Sequence, residues 1–213
     1  MSGITDLVLQ SLQGDTLQQL SRTVGADEGQ TRQAAMAALP VILASLQRNA
    51  GTPQGAAALG SALERDHDGS LLDNLGPYLG GLGGLLGGAQ AAAGGAAPGR
   101  AADGAGILGH IFGGRQEEVA STAGQAAGLD RGQMLRLLIA LAPIVMAALA
   151  RRQRQPDAPA LPDLVGGAAQ EARAQAPGGL MGALSGLLDS DNDGSIMDDL
   201  ARRAGGSLLG GGR

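Results

Sequence analysis

"VGADEGQTRQAAMAALPVILASLQR" (Val24 to Arg48) and "AGLDRGQMLRLLIALAPIVMAALAR" (Ala127 to Arg151) align without a gap at a constant offset of 103 residues. Gly25, Asp27, Gly29, Gln30, Ala37, Pro40, Ala44, Leu46 and Arg48 recur as Gly128, Asp130, Gly132, Gln133, Ala140, Pro143, Ala147, Leu149 and Arg151. Met36, Val41, Ile42 and Leu43 meet the apolar Ile139, Ile144, Val145 and Met146. Self-similarity at one offset marks two copies of a supersecondary unit. Gly25 and Gly128 suit the left-handed position just past a helix end. Asp27 and Asp130 then read as N-caps, with Gln30 and Gln133 at capping-box spacing. A long helix follows, with Met36, Leu39, Ile42, Leu43 and Leu46 on one stripe of 3.6-residue period. Pro40 and Pro143 fall in mid-helix, where a missing N–H and a crowded carbonyl four residues back predict a kink.

Working outward, the first copy begins with an apolar run from Ile4 to Leu12. Asp15 is expected to cap a short helix carrying Leu17, Leu20 and Val24. In the second copy Ile107, Leu108, Ile111, Val119 and Ala123 take comparable roles. Each unit reads as short helix, short helix, long kinked helix. About 50 residues is small for an independent core, so the two copies are expected to pack on each other. Thr52 caps a further helix with Pro53 at its first position.

The expected organisation is a first helical repeat over 1–75, ending in an Asp-rich loop and short helix. A Gly/Ala-rich flexible linker over 76–106 leads to a second repeat over 107–153. A Pro/Ala-rich linker over 154–179 precedes a second Asp-rich loop, short helix and Gly-rich tail over 180–213. Within the first linker, "LGGLGGLLGG" is apolar enough to dock on a helix face or to self-associate.

Composition agrees with an all-α fold. Ala and Leu are strong helix formers, and β-branched runs are scarce. Phe112 and Tyr78 are the only aromatic residues, so the core must be aliphatic. The net charge of −5 and the lack of a basic stripe make nucleic acid an unlikely partner. Arg151, Arg152 and Arg154 form one small basic cluster, and Arg202 and Arg203 another, as helix ends often do. The absence of cysteine excludes disulfides and thiolate metal sites. The N-terminus shows no signal-peptide pattern, which makes the cytoplasm the default location. Met134 to Ala150 is apolar but short for a bilayer span and carries Arg136, so a buried helix is expected rather than a transmembrane segment.

Two related stretches carry the sharpest chemistry, "RDHDGSLLDN" from Arg65 and "SDNDGSIMDD" from Ser190. Alternating aspartates followed by glycine are the entry half of a calcium loop. Asp189, Asp191, Asp193 and Ser195 fill its oxygen positions, with Asp198 as a candidate closer because Leu200 stands where the bidentate acid belongs. Glu64, Asp66, Asp68, Ser70 and Asp73 form a weaker second set. The same letters also make a turn followed by a capping box, Ser70 to Asp73 and Ser195 to Asp198, and that structural reading is the preferred one. Isolated His67 and His110 lack further ligands in register, and no catalytic triad or phosphate loop is readable. No enzyme is expected.

The duplicated unit, together with "ALERDHDGSLLDNL", "GAGILGHIFGGRQEEVASTAGQAAGLDRGQ" and "LLDSDNDGSIMDDL", resembles the YidB-like bacterial family of unknown function. The resemblance implies a helical, homeodomain-like fold and no catalytic residues. The expected function is a non-enzymatic interaction or assembly module that self-associates through apolar helix faces. Calcium binding through 189–198 is the alternative, and a DNA- or envelope-associated accessory role a further one.

Overall fold

The computed structural model describes residues 3–65, 69–86 and 103–176. Every regular element among them is helical: α1 (Ile4–Ser11), α2 (Asp15–Val24), α3 (Glu28–Ala50), α4 (Pro53–Arg65), a 3-10 turn (Ser70–Asp73), α5 (Leu75–Leu86), α6 (Gly104–Phe112), α7 (Gln116–Ala127), α8 (Arg131–Gln153) and α9 (Leu161–Gln175).

The helix ends follow the expected local chemistry. Asp27 accepts the Gln30 amide at 2.8 Å, and Asp130 accepts the Gln133 amide at 2.8 Å. At α8 the box is complete, since the Asp130 amide donates to Gln133 Oε1 at 3.0 Å. Gly25 and Gly128 close α2 and α7 at φ of 82° and 71°. Thr52 Oγ1 accepts the Gly55 amide at 3.1 Å and caps α4. Both long helices have 23 residues and run unbroken through Pro40 and Pro143. Asp15 differs from expectation: it is the first residue of α2, behind Gly14 at φ 57°, and makes no capping bond. Its carboxylate therefore acts on the helix dipole alone.

Gln133 also reaches beyond its own helix. Its Nε2 donates to the Gly25 carbonyl at 2.6 Å, and Arg136 Nη1 donates to the Val24 carbonyl at 3.3 Å. One α8 turn thus satisfies two carbonyls left open at the end of α2. Asp130→Ala is expected to cost about 1 kcal/mol, seen as a fall of about 2–4 °C in Tm. Asp27→Ala, which breaks a single arm, should cost less by the same assay.

The core is one apolar cluster drawing on both halves of the chain. α8 lies at its centre and contacts every other described helix. Its side chains are consequently buried on all sides from Leu137 to Ala150, except Ile139, which is half-buried. α3 is similarly enclosed, so Leu39, Ile42, Leu43 and Leu46 belong to a fully buried segment rather than a stripe. α2 packs on both α3 and α8, and α7 on both α8 and α3. By length and composition α8 could cross a membrane, but 78% of its most apolar window is buried inside the fold.

Two expected linkers need correction. Residues 76–86 of the first continue α5, whose Leu75, Leu79 and Leu82 are buried as it docks on α2. Residues 104–106 of the same linker already belong to α6. Within 154–179, residues 161–175 form α9, which lies along α3 in the most extensive helix pairing of the fold. Leu161, Leu164, Val165, Ala168, Ala169 and Ala172 provide its buried face. That apolar face offsets the poor helix propensity of its Gly and Pro residues.

α5 also repairs a defect in α8. Pro143 has no N–H for the Ile139 carbonyl four residues earlier. The Tyr78 hydroxyl lies 3.4 Å from that carbonyl and 3.5 Å from Ala140 O, at the long limit for donation. Burial first, and Asp103 second, push the Tyr78 phenol well above its ordinary value. The folded chain therefore holds the phenol proton more tightly than the unfolded chain. This contribution is complete below the unfolded pKa of about 10 and lost as pH rises above it toward the folded value. Wild type should lose stability in alkali faster than Tyr78→Phe, which itself costs about 1 kcal/mol at neutral pH by urea unfolding.

Candidate functional site: a seated acidic loop and an open groove

The first Asp-rich stretch leaves α4 at Glu64, whose side chain is exposed. Asp66, His67 and Asp68 lie outside the described residues. Beyond them Gly69, at φ 84°, turns the chain into the 3-10 segment. Ser70 begins that segment but is not its N-cap; Gly69 holds that position. A positive φ at this point favours glycine and displaces the expected serine cap by one residue.

Asp73, the candidate closing ligand of the weaker calcium set, pairs with Arg151 at 2.6 Å. The same Arg151 Nη2 donates to the Gly69 carbonyl at 3.2 Å. One guanidinium thus fastens both ends of the acidic turn to α8. The pair is partly solvated, so its net stabilisation is about 0–1 kcal/mol, and its main effect is positional. Arg152 of the same cluster is used locally: it donates to Gln155 at 2.8 Å and pairs with Asp157 at 3.1 Å.

Among the described residues, no three His, Asp or Glu side chains gather to hold a metal ion. The stronger set, Asp189, Asp191, Asp193, Ser195 and Asp198, lies outside the described residues. His110 sits in the last turn of α6, where its backbone carbonyl accepts from Asn49 Nδ2 at 3.3 Å.

A groove of about 730 Å³ opens between the end of α3, α4 and α6. Leu46, Leu59, Ile107, Ile111 and Met146 supply its apolar lining, while Gly55, Ala58, Ala62 and Gly106 keep its sides low. Arg48, Asn49, Thr52, Asp103 and His110 contribute the polar groups. Burial, then the charge of Arg115, push the Arg48 guanidinium below its ordinary value. Sequence reasoning missed this groove because it joins α3 and α4 of the first half to α6 and Met146 of the second. Its one local signal is the small-residue spacing of Gly55, Ala58 and Ala62 on α4.

This geometry defines an all-helical protein with an open apolar groove and an arginine-held acidic turn. The family model for a bacterial protein of unknown function (DUF937) matches residues 6–152 and 158–211, so the chain belongs to that family. No curated protein and no solved structure matches it.

Proposed function

We propose that this chain is a non-enzymatic helical assembly module, built from two homeodomain-like three-helix units and joining a second copy of itself. The groove between α3, α4 and α6 carries this reading. Its apolar floor and low Gly/Ala sides suit an apolar helix, and the polar groups would orient the guest. The chain itself carries further apolar Leu-Gly sequence at 205–212, which would supply a guest of that composition. A cytoplasmic setting goes with this reading.

Sedimentation velocity on the full chain tests assembly. Wild type should form dimers at about 100 µM, and Ala58→Arg, which places a charged side chain in the groove, should shift the population to monomer; Kd values near or below that concentration correspond to about 5–8 kcal/mol of association. A wild type that remains monomeric there sinks the reading.

The alternative is calcium binding by 189–198, supported by the density of carboxylates in that stretch and its partial match to a calcium loop. Calorimetric titration with calcium separates the two. Heat that disappears in Asp191→Ala/Asp193→Ala would favour the metal reading, and no heat at millimolar calcium would reject it.

A further inference from the structure

The groove between α3, α4 and α6 carries opposite charges at its two ends, both on exposed side chains. Arg48, in the last turn of α3, stands at one end. It donates to Ser45 Oγ at 3.0 Å and pairs with no carboxylate among the described residues. Burial first, and the charge of Arg115 second, lower its guanidinium. Arg115 follows the end of α6 at Phe112, so Arg48 lies toward that end of the helix. Asn49 fixes the same junction, its Nδ2 donating to the Ile111 carbonyl at 3.2 Å and to the His110 carbonyl at 3.3 Å. Asp103 stands at the start of α6. Its Oδ1 accepts the Gly106 amide at 3.0 Å, and it too has no ion pair among the described residues. The nine residues of α6 separate these two ends by about 13 Å. Between them the floor is apolar, with Leu59, Ile107, Ile111 and Met146.

A face with a cation at one end, an anion at the other and an apolar middle is complementary to itself when turned by half a revolution. We propose, resting on the assembly reading above, that two copies meet groove to groove about a twofold axis at the middle of α6, with Arg48 of each paired to Asp103 of the other. Copies laid in parallel would set Arg48 against Arg48 and Asp103 against Asp103, a repulsive arrangement between chains that already carry a net charge of −5 each. Because both charges border one groove, a single contact engages both only about a twofold axis. Such a contact uses both grooves and closes at the dimer, whereas head-to-tail use leaves open ends. The two rim pairs remain near solvent, so they set orientation and exclude wrong registers more than they add affinity. Covering the apolar floor supplies the attraction.

Sedimentation velocity on full-length charge variants tests the pairing. Arg48→Glu and Asp103→Lys, each alone, should weaken the dimer roughly tenfold or more, because each replaces two ion pairs with two like-charged contacts. Mixed in equal amounts, the two variants should dimerise again, since both contacts of the mixed pair then join opposite charges. Both changes in one chain should also restore the dimer. Arg32→Glu, at the opposite end of α3, should leave it unchanged. Asp103→Lys also removes the cap of α6. If its Tm falls, Asp103→Asn, which keeps an acceptor for the Gly106 amide, replaces it, and its mixture with Arg48→Glu should dimerise more tightly than Arg48→Glu alone. A wild type that stays monomeric overturns the assembly reading and this pairing together. Dimers indifferent to Arg48 and Asp103 would overturn the pairing alone, leaving assembly in place and assigning the groove to an uncharged guest such as the Leu-Gly sequence at 205–212. Dimers weakened by each variant but not restored in the mixture would overturn the pairing as well. Species larger than a dimer that grow with concentration would do the same.

Discussion

Leu141→Ala is expected to lower the unfolding free energy by about 2–5 kcal/mol, a large part of the roughly 5–15 kcal/mol that holds a domain together. Leu141 is fully buried in α8, the helix that contacts all the others. Removing its isobutyl group loses transfer free energy and leaves a cavity. The cavity closes poorly because α8 is enclosed by helices and much of its surface is alanine, whose side chain cannot swing into a void. Urea unfolding should show a lower midpoint with an unchanged slope. Leu135→Ala, half-buried on the same helix, should cost well under half as much. Equal losses at the two positions would contradict the central place of α8.

The second large effect reverses an ordinary rule. Gly→Ala inside a helix normally stabilises by about 0.5–1 kcal/mol. At Gly104, in the first turn of α6, an added Cβ would overlap the Ile139 carbonyl oxygen. That oxygen belongs to a backbone held by the packed core, so α6 must lift away from α8. Gly104→Ala is therefore expected to destabilise by about 1–3 kcal/mol or more. Gly109 on the same helix has open space around its Cβ position, and Gly109→Ala should stabilise by about 0.5–1 kcal/mol. Opposite signs for the two substitutions, read from thermal unfolding, would establish the close approach. Like signs would place α6 differently.

Ile139 also shows how the proline in α8 is accommodated. Its carbonyl loses an intrahelical donor to Pro143, lies near the Tyr78 hydroxyl and meets the backbone at Gly104. The sequence marks the defect, because a mid-helix proline always frees a carbonyl. Nothing in the local sequence shows that a tyrosine 61 positions earlier would approach it.

α5 and α9 divide the legible from the illegible in a different way. α9 carries a readable apolar period, Leu161, Leu164, Val165, Ala168, Ala169 and Ala172, which the prolines around it obscured. α5 carries too many glycines for helix propensity to favour it. It is helical where Leu75, Leu79 and Leu82 bury against α2 and α8, an instance of tertiary packing overriding local preference.

The sequence by itself determined the ends of the long helices, their aliphatic character and the matching residues they share at a constant offset. These depend on hydrogen bonds spanning three or four residues and on side-chain periodicity, which travel with the local chain. Tertiary structure alone decided that Asp73 meets Arg151, that α9 covers α3, and that a groove opens beside Arg48. Those outcomes join groups tens of residues apart, and their energies depend on distances and burial that exist only once the helices have packed.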